Sequence, residues 1–184
     1  RVLGLMSQQA ERMRSLVSDL LTLAQIESSP SPAPDRWLKV SDLMQHLSND
    51  LIGLSRNRHP LTVTVGEREQ GSEIAVIESE WLSAMGNLVS NAVRYTPDGQ
   101  RIDLLWRSLP DGRAEFSVKD EGVGIAPEHI PRLSERFYRA DSSRSRNTGG
   151  TGLGLSIVKH VAQRHGGELK IVSELGRGST FTLT

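Results

Sequence analysis

Apolar residues recur along the first 29 positions with alternating spacings of three and four. The pattern is set by seven residues: Leu3, Met6, Ala10, Met13, Val17, Leu20 and Ala24. In an α-helix these side chains share one stripe, as in a coiled-coil seam, and further leucines widen it. Because a helix this apolar on one side is not stable alone, we expect residues 1–29 to form one long helix of an intermolecular bundle. Packing of the helix on its own domain is the alternative.

A Ser/Pro-rich stretch, SSPSPAPDR at 28–36, follows this helix. Serine and proline in this density are typical of a linker between folded units. The sequence therefore predicts a linker at 30–36 and a separate domain at 37–184.

Short strand and helix patterns alternate in the second domain. Strands are predicted at 37–40, 60–65 and 72–77, and two hairpins are predicted around the turns at 110–112 and 175–178. Helices are predicted from Ser41 to about Asn57, from Ser79 to the turn at 96–99, and within 152–167, with both serines as N-caps. This order predicts an α+β domain, a two-layer sandwich of a mixed sheet with helices on one face.

Composition excludes several classes of function. Lys and Arg total 22, as do Asp and Glu, which argues against a broad nucleic-acid-binding face. The absence of cysteine excludes disulfides and thiolate metal sites. No apolar run reaches the ~20 residues needed to span a bilayer, so we expect no direct membrane contact from these residues.

Two asparagines, Asn87 and Asn91, stand four residues apart on the helix that follows Ser79. That spacing places both amides on one helix face. Asparagine is a poor helix former and is costly to bury without partners, so this face is a candidate site. Arg94 and Tyr95 follow one turn later, where an arginine can reach phosphates and a tyrosine can stack on a base. A solvated arginine and a half-buried tyrosine are the alternatives.

Two glycine-rich segments flank the rest of the candidate site. DEGVGI at 120–125 directly follows a strand, and TGGTGLGLS at 148–156 leads into a helix. Free amides and the positive end of a helix favour an anion at the second segment, most naturally a phosphate. Asp120 at the strand end can accept a hydrogen bond from an exocyclic amine such as that of adenine. Plain tight turns and a turn-capping aspartate are the alternatives.

Between these segments lies a long polar stretch, RFYRADSSRSRNTGG at 136–150. Such a loop inside a compact domain is typical of a functional lid or a disordered segment. Its arginines could grip a polyphosphate, and Arg144 and Arg146 could equally be solvated.

These segments occur in an order that resembles the catalytic ATP-binding domain of sensor histidine kinases, within the wider gyrase, Hsp90 and mismatch-repair (GHKL, or Bergerat-fold) ATPases. NLVSNAVRYTP resembles the N box, DEGVGI and GGTGLGL the two G boxes, and ERFYRAD the F box. Residues 1–29 resemble the second helix of the dimerisation and phosphotransfer hairpin. Among sensor kinases, the hairpin and boxes resemble those of phosphate-regulon sensors.

The resemblance implies roles for individual residues. Asn91 would hold Mg²⁺ through its amide oxygen, Asp120 would bind the adenine amine, and Arg139 would neutralise the γ-phosphate. Asn87, Asn91 and Arg139 form the implied catalytic set. The implied ATP-binding set is Asn87, Asn91, Arg94, Tyr95, Asp120, Gly122, Gly124, Ile125, Arg139, Arg144, Arg146, Gly150, Thr151, Gly152, Leu153, Gly154 and Leu155.

Asn87 bears on the kind of reaction. Hydrolysing members of the superfamily look to carry a glutamate one turn before the metal-binding asparagine, as the general base for water. Since an amide cannot accept a proton at neutral pH, Asn87 disfavours rapid hydrolysis and favours a kinase. An anti-sigma-type serine kinase and a non-catalytic nucleotide-binding module remain as alternatives.

The phosphoacceptor motif of the family does not occur in the sequence. None of His46, His59, His129, His160 and His165 is followed by Glu or Asp. We therefore expect an acceptor histidine upstream of Arg1 and no self-phosphorylation. The resemblance also implies a response-regulator receiver domain as partner, a homodimeric full-length protein, and a cytoplasmic domain whose parent is anchored in the bacterial inner membrane. Ser134, where the F box often has an aromatic residue, departs from the family pattern.

Overall fold

The computed structural model describes residues 2–28, 36–66, 69, 71–140 and 150–184. Helix α1 spans Val2–Ser28. Strand β1 (Arg36–Lys39) leads into α2 (Val40–Ser55), and β2 (Leu61–Val65) and β3 (Glu73–Val76) precede α3 (Glu78–Tyr95). Strands β4 (Ile102–Ser108) and β5 (Ala114–Asp120) are followed by a 3₁₀ turn (Ile130–Arg132). Helix α4 (Gly154–Arg164) and strands β6 (Leu169–Glu174) and β7 (Gly178–Leu183) complete the chain.

Five strands form the main sheet in the order β2-β4-β5-β7-β6. β2 and β4 run parallel, whereas the other neighbouring strands are antiparallel. β1 and β3 pair separately as a two-stranded antiparallel sheet. The main sheet is therefore mixed, as the sequence predicted.

One hydrophobic core joins this sheet to α2, α3 and α4. Val118 lies opposite Leu104 on one side and Phe181 on the other, so the three side chains point to the same face. All three are buried, as are Leu88 of α3 and Ile157 of α4. The predicted two-layer α+β sandwich is confirmed.

Both N-cap predictions are wrong. Helix α2 begins at Val40 and helix α3 at Glu78, and their N-cap residues, Lys39 and Ile77, make no side-chain capping bond among the described residues. Each helix starts directly or one residue after a strand, so the strand sets the position of the helix. Helix α2 also ends earlier than the predicted Asn57, because Arg56 and Asn57 adopt positive φ angles of 49° and 59°.

Helix α1 presents two different faces. The seam residues Met6, Met13, Val17 and Leu20 are exposed, whereas Leu23 and Ile26 are buried against the core. Whether the exposed seam packs in an intermolecular bundle stays a prediction.

Polar contacts hold the end of α1 to α4. The Arg164 guanidinium donates to the carbonyl oxygen of Ile26 at 2.7 Å and lies 3.0 Å from a Glu80 carboxylate oxygen. His160 Nε2 lies 3.2 Å from Glu27, which also pairs with Arg136. These contacts bring one side of α1 to the mouth of the cavity described next.

The linker prediction covers 30–36, of which only Arg36 lies inside the described residues, as the first residue of β1.

Candidate functional site

A cavity of about 650 Å³ lies between α3, the loop after β5 and the start of α4. This volume is in the range of pockets that hold small-molecule ligands. Thirteen of the residues in the implied ATP-binding set line it: Asn87, Asn91, Arg94, Tyr95, Asp120, Gly124, Ile125, Arg139, Gly150, Thr151, Gly152, Gly154 and Leu155. Segments far apart in the sequence thus converge on one cavity.

Four residues of that set remain. Gly122 and Leu153 are not part of the lining that the described residues form. A methyl group at Gly122 would lie 2.7 Å from the carbonyl oxygen of Tyr95, so this glycine lets the strand end approach α3. The Leu153 side chain is fully buried in the core. Arg144 and Arg146 lie outside the described residues.

Both asparagines of α3 face the cavity. Asn87 donates from Nδ2 to the carbonyl oxygen of Ser83 at 2.9 Å, which fixes its amide group. Its Oδ1 then points at Gly154, the first residue of α4, where an added Cβ would lie only 2.5 Å away. Asn91, one turn later, lines the same cavity. An amide oxygen here is a ligand of the kind that Mg²⁺ accepts.

Asp120 forms the opposite end of the cavity. Asp120 is 4% exposed, and its Oδ1 accepts a hydrogen bond from the amide of Gly122 at 2.9 Å. The amide of Ser179 also donates to this carboxylate. Burial raises the pKa of Asp120, and the two amide bonds partly oppose this rise. A buried carboxylate with spare lone pairs is suited to an N–H donor on a ligand.

The start of α4 forms the end of the cavity that is suited to bind an anion. Helix N-termini carry unpaired amides and a partial positive charge, so this end favours phosphate. Gly150 packs against the Arg94 guanidinium, which a side chain there would displace. Gly152, with φ of +77°, packs against the backbone of Phe137, so a side chain there would collide. The Thr151 hydroxyl accepts from the amide of Leu153 at 3.2 Å.

Helix α1 contributes to this end of the cavity, which the sequence did not predict. Thr151 Oγ1 donates to a carboxylate oxygen of Asp19 at 2.6 Å, and Ser15 also lines the cavity. The available signal was the spacing of Leu16, Asp19, Leu23 and Ile26, which places Asp19 on the face of α1 that packs on the domain. Other lining residues that the sequence did not single out include His129, Leu133, Ser179 and Phe181.

The segment before the second glycine motif is held by aromatic contacts. His129 Nδ1 lies 2.7 Å from the hydroxyl of Tyr138, and the Arg132 guanidinium lies 4.3 Å from the centre of the Tyr138 ring. Arg139 follows directly and lines the cavity. This places a cation where it can meet an anionic ligand.

Protein side chains alone do not form a metal cage here. Within the part of the chain that the structure describes, no group of three or more His, Cys, Asp or Glu residues could hold a metal ion. Asn91 fits a magnesium ion whose other ligands are phosphate oxygens and water, which is how Mg²⁺ is usually bound beside nucleotides.

The cavity thus combines a buried acceptor, Asp120, with a helix N-terminus and Arg139, which suits a ligand with an N–H donor and anionic groups. The family model for histidine kinase-, DNA gyrase B- and HSP90-like ATPases matches residues 76–184. This chain therefore belongs to that ATPase family.

Two curated relatives are named as a phosphate regulon sensor protein and a sensor histidine kinase. The chain is 48% identical to the phosphate regulon sensor protein PhoR of Pseudomonas aeruginosa, over 99% of this chain and 40% of that protein. It is 34% identical to the sensor histidine kinase RppB of Synechocystis, again over 99% of this chain and 40% of the relative. The chain thus spans about 40% of the length of these curated relatives.

Solved structures show the same fold. Full-length ShkA, crystallised in complex with AMPPNP, superposes with a TM-score of 0.82 at 24% identity, covering 98% of this chain and 37% of that one. The mycobacterial sensor histidine kinase MprB gives a TM-score of 0.67, also at 24% identity, over 80% of this chain and 93% of that chain.

Proposed function

We propose that this chain is the catalytic ATP-binding part of a sensor histidine kinase of the phosphate-regulon type. In this function the γ-phosphate of ATP passes to a histidine on another segment of the parent protein, and then to an aspartate of a response-regulator receiver domain. Support comes from the family membership and from the 48% identity to PhoR.

The observation that carries the proposal is the state of Asn87. Its amide nitrogen is bound to Ser83 O at 2.9 Å, and its oxygen faces the start of α4. A residue at this place that could take a proton from water would favour hydrolysis, and an anchored amide cannot do so. The site therefore retains its nucleotide until a nucleophile arrives.

Each end of the cavity has a role in this proposal. Asp120 accepts from the adenine amine, Asn91 holds Mg²⁺ beside the phosphates, and Arg139 offsets the charge that develops on the transferred group. Bound magnesium supplies charge neutralisation along the triphosphate. Gly150, Gly152 and Gly154 keep the backbone close enough for amides to contact phosphate oxygens.

The wider setting of the domain is also part of the proposal. Among the described helices none is long and apolar enough to cross a bilayer. We infer a cytoplasmic position for this part of a membrane-anchored parent, with the exposed seam of α1 packing in a homodimeric bundle. RppB and MprB are named as sensor histidine kinases, and neither the serine kinase nor the non-catalytic module is favoured.

Two measurements test the proposal. Calorimetric titration of the chain with Mg²⁺ and ATP should show one site per chain and little release of free phosphate. A longer protein that includes the acceptor helix should incorporate acid-labile, base-stable phosphate from γ-labelled ATP. Phosphoserine, or steady hydrolysis at ordinary ATPase rates, would refute the histidine-kinase function.

A further inference from the structure

The β6–β7 hairpin presses against the loop that follows Asp120. Gly124 has a φ of +67°, and a methyl group there would overlap the carbonyl of Glu174. The amide of Gly176 donates to the carbonyl oxygen of Val123 at 2.8 Å. The position of this hairpin therefore sets the geometry of the end of the cavity that holds Asp120.

The hydroxyl of Ser173 lies at the centre of this contact. Its Oγ accepts from the amide of Ile125 at 2.8 Å and donates to the carbonyl oxygen of Gly178 at 3.0 Å. It also lies 2.9 Å from Oγ of Ser179. Ile125 and Ser179 line the cavity, and Ser173 stands behind both of them.

The hydrogen-bonding capacity of a hydroxyl fixes the direction of the last contact. A serine hydroxyl has one proton to donate and two lone pairs that accept. The proton of Ser173 goes to Gly178, and one lone pair receives the amide of Ile125. The second lone pair is left for Ser179, so Ser179 donates its proton to Ser173 and keeps its own lone pairs for a ligand.

The base end of the cavity consequently presents acceptors. Asp120 offers a carboxylate, and the oriented hydroxyl of Ser179 offers oxygen lone pairs beside it. A 6-aminopurine places N–H donors at its exocyclic position, whereas a 6-oxopurine places an acceptor there. Buried polar groups left unpaired by the wrong ligand give strong discrimination.

We propose that Ser173 is a positioning residue for base selection, which holds Ser179 in the acceptor orientation and thereby favours ATP over GTP. The proposal rests on the nucleotide-binding function proposed above. Ser173 acts through Ser179 and Ile125 and does not itself touch the nucleotide.

Nucleotide titrations of Ser173 variants test this role. In Ser173→Ala the amide of Ile125 loses its partner and the Ser179 hydroxyl can turn to donate into the cavity. The dissociation constant for ATP should rise about fivefold to tenfold, and the preference for ATP over GTP should fall by about tenfold. Ser173→Thr keeps the hydroxyl and should restore both values.

Ser117→Ala is the matched control. The Ser117 hydroxyl lies 3.3 Å from that of Thr182 on neighbouring strands of the same sheet, and neither residue is part of the described cavity lining. It removes a hydroxyl contact of similar kind and should leave both affinities unchanged. Ser179→Ala is the second variant, because it removes the oriented hydroxyl while Ser173 keeps both backbone bonds. It should lose the same preference.

The outcomes separate the two proposals. Equal weakening of ATP and GTP in Ser173→Ala, or no change in either, overturns the role of Ser173 while the nucleotide-binding function stands. A wild-type chain that binds neither nucleotide overturns the proposed function and this inference with it. The role of Ser173 is supported if Ser173→Ala and Ser179→Ala lose the ATP preference while Ser173→Thr and Ser117→Ala behave like wild type.

Discussion

Replacing Gly154 by alanine would test the contact between α3 and α4 at the phosphate end of the cavity. The added Cβ would lie 2.5 Å from Oδ1 of Asn87 and 3.2 Å from its Cγ. Because real Cβ contacts are longer than this, the Asn87 side chain must move. The movement breaks or weakens its 2.9 Å bond to the carbonyl oxygen of Ser83.

Two opposing terms set the effect on stability. Loss of the Asn87 hydrogen bond costs about 1 kcal/mol. Replacing glycine by alanine in a helix returns about 0.5–1 kcal/mol, since the unfolded chain loses freedom. The free energy of unfolding should therefore change by less than about 1 kcal/mol, which is at most about 4 °C in Tm for a chain of this size.

Nucleotide binding should respond far more strongly. The new methyl group enters the lining where α4 begins, and Asn87 leaves its position beside it. We expect the dissociation constant for ATP to rise at least about tenfold, equivalent to ~1.4 kcal/mol.

Gly86→Ala is the matched control for Gly154→Ala. Gly86 precedes Asn87 in the same helix, and a Cβ there would meet no described atom within 4 Å. This variant should gain about 1–4 °C in Tm and bind ATP like wild type. Calorimetric titration and thermal melts measure both quantities. Normal ATP affinity in Gly154→Ala would refute the assigned contact, as would weakened affinity in Gly86→Ala.

Three further variants probe other parts of the site. Burial raises the pKa of Asp120, so the folded protein binds the proton of this carboxyl group more tightly than the unfolded chain does. The stability that the protonated carboxyl contributes is therefore lost as pH rises through its folded-state pKa. ATP affinity should instead fall as pH drops through that pKa, and Asp120→Asn should weaken ATP about tenfold or more and abolish this dependence in titrations across pH. Glu80→Gln removes the carboxylate charge that lies 3.0 Å from Arg164 and should cost about 2 kcal/mol, seen as a Tm lower by about 4–8 °C; an unchanged Tm would contradict this. Asp19→Asn removes a negative charge beside Thr151 and should tighten ATP binding about fivefold, and an equal or weaker affinity would show that this carboxylate does not oppose the phosphates.

Local sequence signals predicted the elements well where turns and periodicity agree. The hairpin around Gly112 and the one around Gly176 form as expected, since both glycines adopt the positive φ that their turns need. Helix starts were less predictable, because Lys39 and Ile77 are set by the preceding strands rather than by a capping side chain.

The candidate site was predictable in its residue types and less so in its arrangement. The order of the motifs predicted that Asn91 and Asp120 belong to one site, and in the structure both line one cavity. Leu153 belonged to the same glycine motif, but an apolar side chain at a helix start is drawn into the core. Asp19 was missed because helical periodicity shows which residues share a face and not what that face meets.

The contact of Asp19 with Thr151 couples the position of α1 to the nucleotide site. The helix has 27 residues and extends about 40 Å, and its last turns are fastened to α4 by the bond from Arg164 to Ile26 O. If Asp19 opposes the phosphates as predicted above, a displacement of the helix that removes Asp19 from the cavity changes nucleotide affinity. By reciprocity, bound nucleotide changes the equilibrium constant of helix docking by the same factor. The nucleotide affinity of this domain thus depends on whether α1 is docked.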